Sequence, residues 1–557
     1  MDKPKSVLLR MFIAISVLAA IAGCGSDGDS GSAAPAPAGS DGPARIVNGP
    51  QQQTGNAAAG QNVYRFATFG NERFWTDALR LQQGIIAANV TPLQALQLGL
   101  HVDVDAPRLP AAVRQQLAAE LAADPSGATS SVLNTPANTA VLVSADAVIG
   151  LSPKDSNGDG VIDITNGDKT GATCALCHTI TNASVFRSAT GGGTIGVRQD
   201  GRATHTLDFG SLIALGQNSM AYYPVLQLRL AANGNTTLGR ASNPGLTENS
   251  TEAEADAYLR DKASYPVGMF DDTVDGNGDP MHNMPLFEQD LAFPYGSDGT
   301  ITTQDNFANT VYTILLDPTL LTTTGGRAFL TTLGGAAAGN EIVDDYIAVL
   351  ARTGVTGPFP YVQAAPPGDP ALAGTEAFPA GVRVDNTMLA DMNAYLFSLP
   401  APAGVDGDAQ AIGRGRQLFR TVGCTGCHNV DQARAVPGFV VAMATIFPGD
   451  NPVTLLASRA TPMFPTLNPI LDTPGNIFDD KMAVVNATLR GEIRGTGLPL
   501  LLDLARKPVF LHDNSVPSLD NLLDQSRGAN APHPFYLTDS AQRADMVTFL
   551  RSLDTSN

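Results

Sequence analysis

Cys174-Ala175-Leu176-Cys177-His178 recurs in spacing as Cys424-Thr425-Gly426-Cys427-His428. Two thiols three positions apart can each form a thioether with one of the two vinyl groups of a porphyrin. The histidine that follows can set its imidazole against the iron. Each copy therefore reads as an attachment site for covalently bound haem c. Cys174, Cys177, Cys424 and Cys427 are the anchors, and His178 and His428 the iron ligands. The competing readings are a redox C-x-x-C pair or half of a zinc site. The chain has five cysteines, so no further pair is left to complete a four-thiolate zinc site around either copy.

Around these motifs lie 557 residues, enough for two or three domains and a substantial core. Asp and Glu outnumber Lys and Arg by 53 to 34, a formal net charge of −19, which removes the electrostatic case for nucleic-acid binding. The same acidity suits a basic redox protein partner of the small cytochrome or cupredoxin type, although acidic faces are often only solvated surface. With 56 glycines and 38 prolines, long loops are expected.

The fifth cysteine belongs to the start of the chain. Lys3, Lys5 and Arg10 precede the apolar run Met11 to Ala22, which closes as Ile21-Ala22-Gly23-Cys24. This is the pattern of an export signal, and the run is too short to span a bilayer. A cysteine directly after Ala-Gly resembles the lipobox of bacterial lipoproteins. That resemblance implies cleavage before Cys24, lipidation there, and membrane contact through this anchor alone, on the periplasmic side or at the cell surface. Gly25, where an aspartate would signal inner-membrane retention, favours the outer membrane. An ordinary signal peptide with a free cysteine is the alternative. Residues 24–60, nearly without large apolar side chains, read as a flexible tether.

Apolar periodicity places helices near Phe74 to Leu79, Pro92 to Leu98 and Pro110 to Ala123, then near Asn386 to Leu399, Ala409 to Thr421 and Arg543 to Leu553. Trp75, the single tryptophan, is expected as a core anchor. Asp155, Asn157, Asp159 and Asp163 stand at positions 1, 3, 5 and 9 of a twelve-residue loop with Gly160 at position 6. These are oxygen ligands at calcium-loop spacing, but Asn166 replaces the closing glutamate. Calcium and a merely polar turn both remain readings. Gly415, four residues before Phe419, would allow the last helix to cross closely over the one that leads into the second motif.

The expected fold is mainly α: two cytochrome c-type haem domains with long loops, preceded by an N-terminal helical extension. The expected divisions are a signal peptide (1–23), tether (24–60), helical region (61–150), first haem domain (151–400) and second haem domain (401–557).

From about residue 150 onward the chain resembles the bacterial di-haem cytochrome c peroxidase superfamily, which includes the methylamine-utilisation di-haem enzyme and the rubber oxygenases. Arg506-Lys507-Pro508-Val509-Phe510-Leu511-His512-Asp513-Asn514 is similar to a family segment whose histidine contacts a propionate of the second haem. The resemblance gives that role to His512, and charge makes Arg506 a candidate partner of the same group. The family's distal methionine or tyrosine is matched here by Ser526, a poor ligand. His533 then becomes the candidate second ligand of the second iron, with Met482 as the alternative. For the first iron His205 is the candidate distal ligand, among His101, His282, Met220, Met269, Met281 and Met284; an open site is the other reading. Ser297 stands where the family has a tryptophan between its haems, with Tyr295 or Phe293 as substitutes, and Asp317 aligns loosely with the family's distal acid. The implied activity is electron transfer through the second haem with peroxide or oxygen reacting at the first. A non-catalytic electron carrier and a rubber-oxygenase-like dioxygenase are the other two readings.

Overall fold

The computed structural model describes residues 53–237, 244–276, 278, 280–292, 295, 301–365, 368–426, 428, 440–442, 484–485, 495–497, 500–511, 514, 516–524 and 536–554. All of them fall in one compact unit, Ser40–Asn557. Cys24, Cys427, Met482, His512 and His533 lie outside the described residues. So do Phe293, Ser297 and the proposed export signal.

The architecture is mixed α/β rather than mainly α with two cytochrome domains. Helix makes up 45% and strand 10% of the described residues. Among the described residues fourteen short strands form six small sheets. The first motif lies among these strands. Leu151–Lys154 pairs antiparallel with Lys169–Ala172. One helical turn, Ala175–His178, follows, and Thr179–Thr181 then pairs antiparallel with Arg198–Asp200. Beside them Thr194–Gly196 runs parallel to Val102–Asp103 and antiparallel to Phe186–Arg187. Each of these strands is two to four residues long. Side-chain alternation over so few positions leaves almost no periodic signal.

The helices form for local reasons. Thr91 and Gln94 make a reciprocal capping box ahead of Pro92–Gln97, with Pro92 in the first turn. Pro110 is the cap of Ala111–Ala123 rather than part of its first turn. The turn around Trp75 is a five-residue π-helix, Phe74–Ala78. Trp75 is buried there, edge-on to Phe209 and Tyr222.

Buried side chains from Val63 to Leu396 belong to one contiguous core, so stretches 61–150 and 151–400 share their interior. Its ends are tied where Ala57–Phe66 lies on Asn386–Ser398. A Cβ on Gly60 would fall 1.9 Å from the Asp391 carbonyl oxygen, so only glycine permits this approach. The helix starting at Ala57, capped by Asn56, takes up the last residues of the expected tether.

A second, smaller core gathers Phe419, Cys424, Leu504, Phe510, Leu523, Met546 and Phe549. Here Ala409–Val422 packs against Ser540–Ser552. A Cβ on Gly415 would meet the Asp545 carbonyl oxygen at 2.2 Å and Phe549 Cβ at 2.6 Å. Arg414 clamps the crossing with two hydrogen bonds of 2.7 Å to the Asp545 carboxylate. Among the described residues no helix is long and apolar enough to cross a membrane.

Candidate haem-attachment site

The first motif is held by its backbone. Gly150, at φ +86°, underlies it, and a Cβ there would fall 2.1 Å from Leu176 Cα. Thr173 N–H donates to Gly150 O at 3.0 Å. Tyr64 Oη donates to His178 O at 2.6 Å, and Thr204 N–H donates to Cys177 O at 2.9 Å. The single turn Ala175–His178 is therefore fixed on both sides, with Cys174 as its N-terminal cap and Cys177 next to its last residue.

Both cysteines are free thiols. Cys174 Sγ donates to the buried Tyr312 hydroxyl at 3.2 Å. Burial pushes the Cys174 thiol up to about 11 and the Cys177 thiol up to about 12. A catalytic thiol–disulfide pair works from a depressed pKa, the opposite condition. These thiols are protonated near neutral pH, which counts against the redox-pair reading.

His178 Nδ1 lies 2.6 Å from Met284 O. A carbonyl oxygen can only accept, so Nδ1 carries the proton and the lone pair is on Nε2. Burial lowers the imidazole to about 4, against the opposing pull of the Met284 bond. The ring is therefore neutral near pH 7, and its orientation is fixed by the outer-shell carbonyl that metal-binding histidines commonly use. Two free thiols and one neutral imidazole with Nε2 available are the donors that haem c requires. The residues fit the group. Among the described residues no cluster of three or more His, Cys, Asp or Glu side chains is placed to hold a metal ion.

Only part of the second motif is described. Cys424 is buried in the smaller core, beyond the left-handed cap Gly423 at φ +106°. His428 N–H donates to Cys424 O at 2.9 Å, and its ring is 6.2 Å from that of Phe419.

The remaining candidates fall in different places. Arg506 donates to Asp503 Oδ1 at 2.5 Å and to Ala403 O at 2.9 Å, so its guanidinium is spent at the surface. The next residue, Lys507, turns inward. Its Nζ is 3.4 Å from His282 Nε2 and 5.8 Å from the centroid of the Phe510 ring. Burial lowers its pKa to about 8. His205 has a buried Nδ1 without a hydrogen-bond partner, and burial, then the charge of Lys507, lower it to about 4. His101 is a core histidine whose Nδ1 sits 2.9 Å from Thr194 Oγ1. Tyr295 Oη donates to Gln289 O at 2.8 Å. Asp317 is a structural clasp. It accepts from Thr319 N–H at 3.2 Å, Thr319 Oγ1 at 2.5 Å and Val362 N–H at 2.6 Å, and burial lifts it to about 6.

Carboxylate and amide oxygens of the calcium-like loop face the loop's own backbone. Asp155 accepts from Gly158 N–H at 2.7 Å and Gly160 N–H at 2.9 Å. Asn157, Asp159 and Asp163 each accept an N–H two residues onward at 2.8 Å. Asp168, which the loop pattern does not mark, holds the turn together. Its buried carboxylate accepts from Ser156 N–H at 2.9 Å, Asn157 N–H at 3.4 Å and Asp163 N–H at 2.8 Å. Burial alone would raise its pKa, but these three donors outweigh it and leave the group below the usual aspartate range.

Neither a family model nor a curated protein matches the chain. A solved structure of Kuenenia stuttgartiensis hydrazine synthase, pressurised with 20 bar xenon, is similar over 31% of this chain and 57% of that one. The identity is 16% and the TM-score 0.17, and a likeness so partial carries no argument.

Proposed function

We propose that this protein is an exported, lipid-anchored c-type cytochrome that carries haem covalently at Cys174–Cys177 and at Cys424–Cys427 and transfers electrons to or from a soluble redox protein. The observation that supports this most is the His178 Nδ1–Met284 O contact of 2.6 Å beside two free, protonated thiols. When bound, haem supplies a one-electron couple; the chain orients it and limits its exposure. Cys174 and Cys177 anchor it, His178 presents Nε2, and Tyr64 and Thr204 keep the anchoring turn from moving. Reaction of the first iron with peroxide or oxygen is an extension of this reading. It needs an acid near the iron, and Asp317, with its carboxylate committed to Thr319 and Val362, is not available for that work.

The test is expression in a host that matures c-type cytochromes, followed by denaturing electrophoresis with haem staining and mass analysis of the two motif peptides. One haem on each peptide is expected, and the double variant Cys174→Ala/Cys177→Ala should keep only the second. Motif peptides without added mass would overturn the proposal. Peroxide added to the half-reduced protein separates the two activities, because a carrier with two six-coordinate irons leaves the spectrum unchanged.

A further inference from the structure

The frame around His178 has a neighbour that the motif does not predict. His282 is two residues from Met284, whose carbonyl accepts the His178 Nδ1–H hydrogen bond, and it pairs with Met269 in a short antiparallel ladder. His205 follows Thr204, which donates to Cys177 O, and Gly268 packs on its backbone, where a Cβ would fall 2.5 Å from His205 O. Lys507 Nζ lies 3.4 Å from His282 Nε2, and its charge acts on His205. It belongs to a segment whose Leu504 and Phe510 are part of the smaller core. Its ammonium is thus where the C-terminal core meets the frame of the first motif.

That ammonium is half-buried and has no carboxylate within ion-pair distance among the described residues. The aromatic face of Phe510 and a weak contact to His282 return little of the cost of removing an ammonium from water. An anion set against it would offset that cost. The haem proposed at Cys174–Cys177 brings two carboxylates into this neighbourhood, while Arg506 already has Asp503.

We infer that Lys507, not Arg506, is the cation that pairs with a propionate of the haem anchored at Cys174 and Cys177. Through it the C-terminal core would be linked to the first haem. This rests on the haem reading above. Lys507 is a positioning residue: its charge would offset the propionate and favour the reduced iron.

The test is a spectroelectrochemical titration of the purified holoprotein alongside Lys507→Met, Lys507→Arg and Arg506→Gln, with haem content measured on each. Loss of the positive charge stabilises the ferric state. Lys507→Met should therefore lower the midpoint of one haem and leave the other unmoved, with both haems still attached. Lys507→Arg should restore the wild-type midpoint, and Arg506→Gln should match wild type. A shift in Arg506→Gln with none in Lys507→Met overturns the assignment, as does an unchanged midpoint in Lys507→Met that retains full haem. Wild-type protein without covalent haem would overturn the haem reading itself, and this proposal with it. Should Lys507→Met fail to fold, a Lys507→Gln holoprotein with unchanged midpoints also overturns it.

Discussion

His178 donates its Nδ1 proton to the carbonyl oxygen of Met284 across 2.6 Å, although 106 residues separate them in the chain. The contact fixes the tautomer, the plane of the ring and the atom left to meet an iron. It also ties the motif to the loop that carries His282.

Replacing that ligand should separate attachment from ligation. His178→Ala should keep haem on Cys174 and Cys177, since the thioethers do not involve the imidazole, but change the optical spectrum of that haem. Added free imidazole should bring the wild-type spectrum back. An unaltered spectrum in the variant would mean that His178 does not bind the iron.

Tyr64→Phe removes one hydroxyl from a closed site. Tyr64 Oη donates to His178 O at 2.6 Å, lies 3.0 Å from Thr179 Oγ1 and accepts from Gly201 N–H at 3.3 Å. Leaving such buried groups unsatisfied costs about 1–3 kcal/mol. Chemical denaturation should show that loss, with haem content unaffected. A midpoint equal to wild type would show that the hydroxyl does not hold the turn.

Gly415→Ala should destabilise the smaller core. The new methyl would meet the Asp545 carbonyl oxygen at 2.2 Å, so the two helices must separate. Overpacking of this kind costs about 1–3 kcal/mol. The expected outcome is a lower melting transition for the C-terminal segment, with the first motif's spectrum intact.

Asp168 ties stability to pH. Its folded pKa lies below its unfolded value of about 3.9, because three N–H donors favour the carboxylate. Its contribution is therefore complete above the unfolded value and disappears as the pH falls through the depressed folded one. Asp168→Asn should lower the thermal midpoint at neutral pH and flatten its dependence on acid. A chelator separates the two readings of the neighbouring loop: a fall in the wild-type midpoint supports a cation at Asp155, Asn157, Asp159 and Asp163, and an unmoved midpoint supports a turn held by the N–H groups these side chains accept.

Long helices with clear caps and apolar stripes could be read from the chain. Asn386–Ser398, Ala409–Val422 and Ser540–Ser552 fall close to their sequence-based positions, and Gly415 makes the crossing its spacing implied. The strands could not, because two- to four-residue segments such as Thr179–Thr181 carry no usable alternation. For that reason a mainly α fold was expected where a mixed one is found. Spacing identified the oxygens of the 155–163 loop, but not the loop N–H groups they accept or the part Asp168 plays in holding the turn.

The sequence by itself determined where two thiols and an imidazole stand one turn apart, because that chemistry depends only on local spacing. The tertiary structure decided what those groups are. Burial made the thiols weak acids and the histidine neutral, and a distant carbonyl selected the nitrogen left available. It also decided which of two adjacent cations faces the interior: Arg506 stays with Asp503 at the surface, and Lys507 points between His282 and Phe510. Burial and hydrogen-bond partners come from residues far apart in the chain, so no local pattern can encode them.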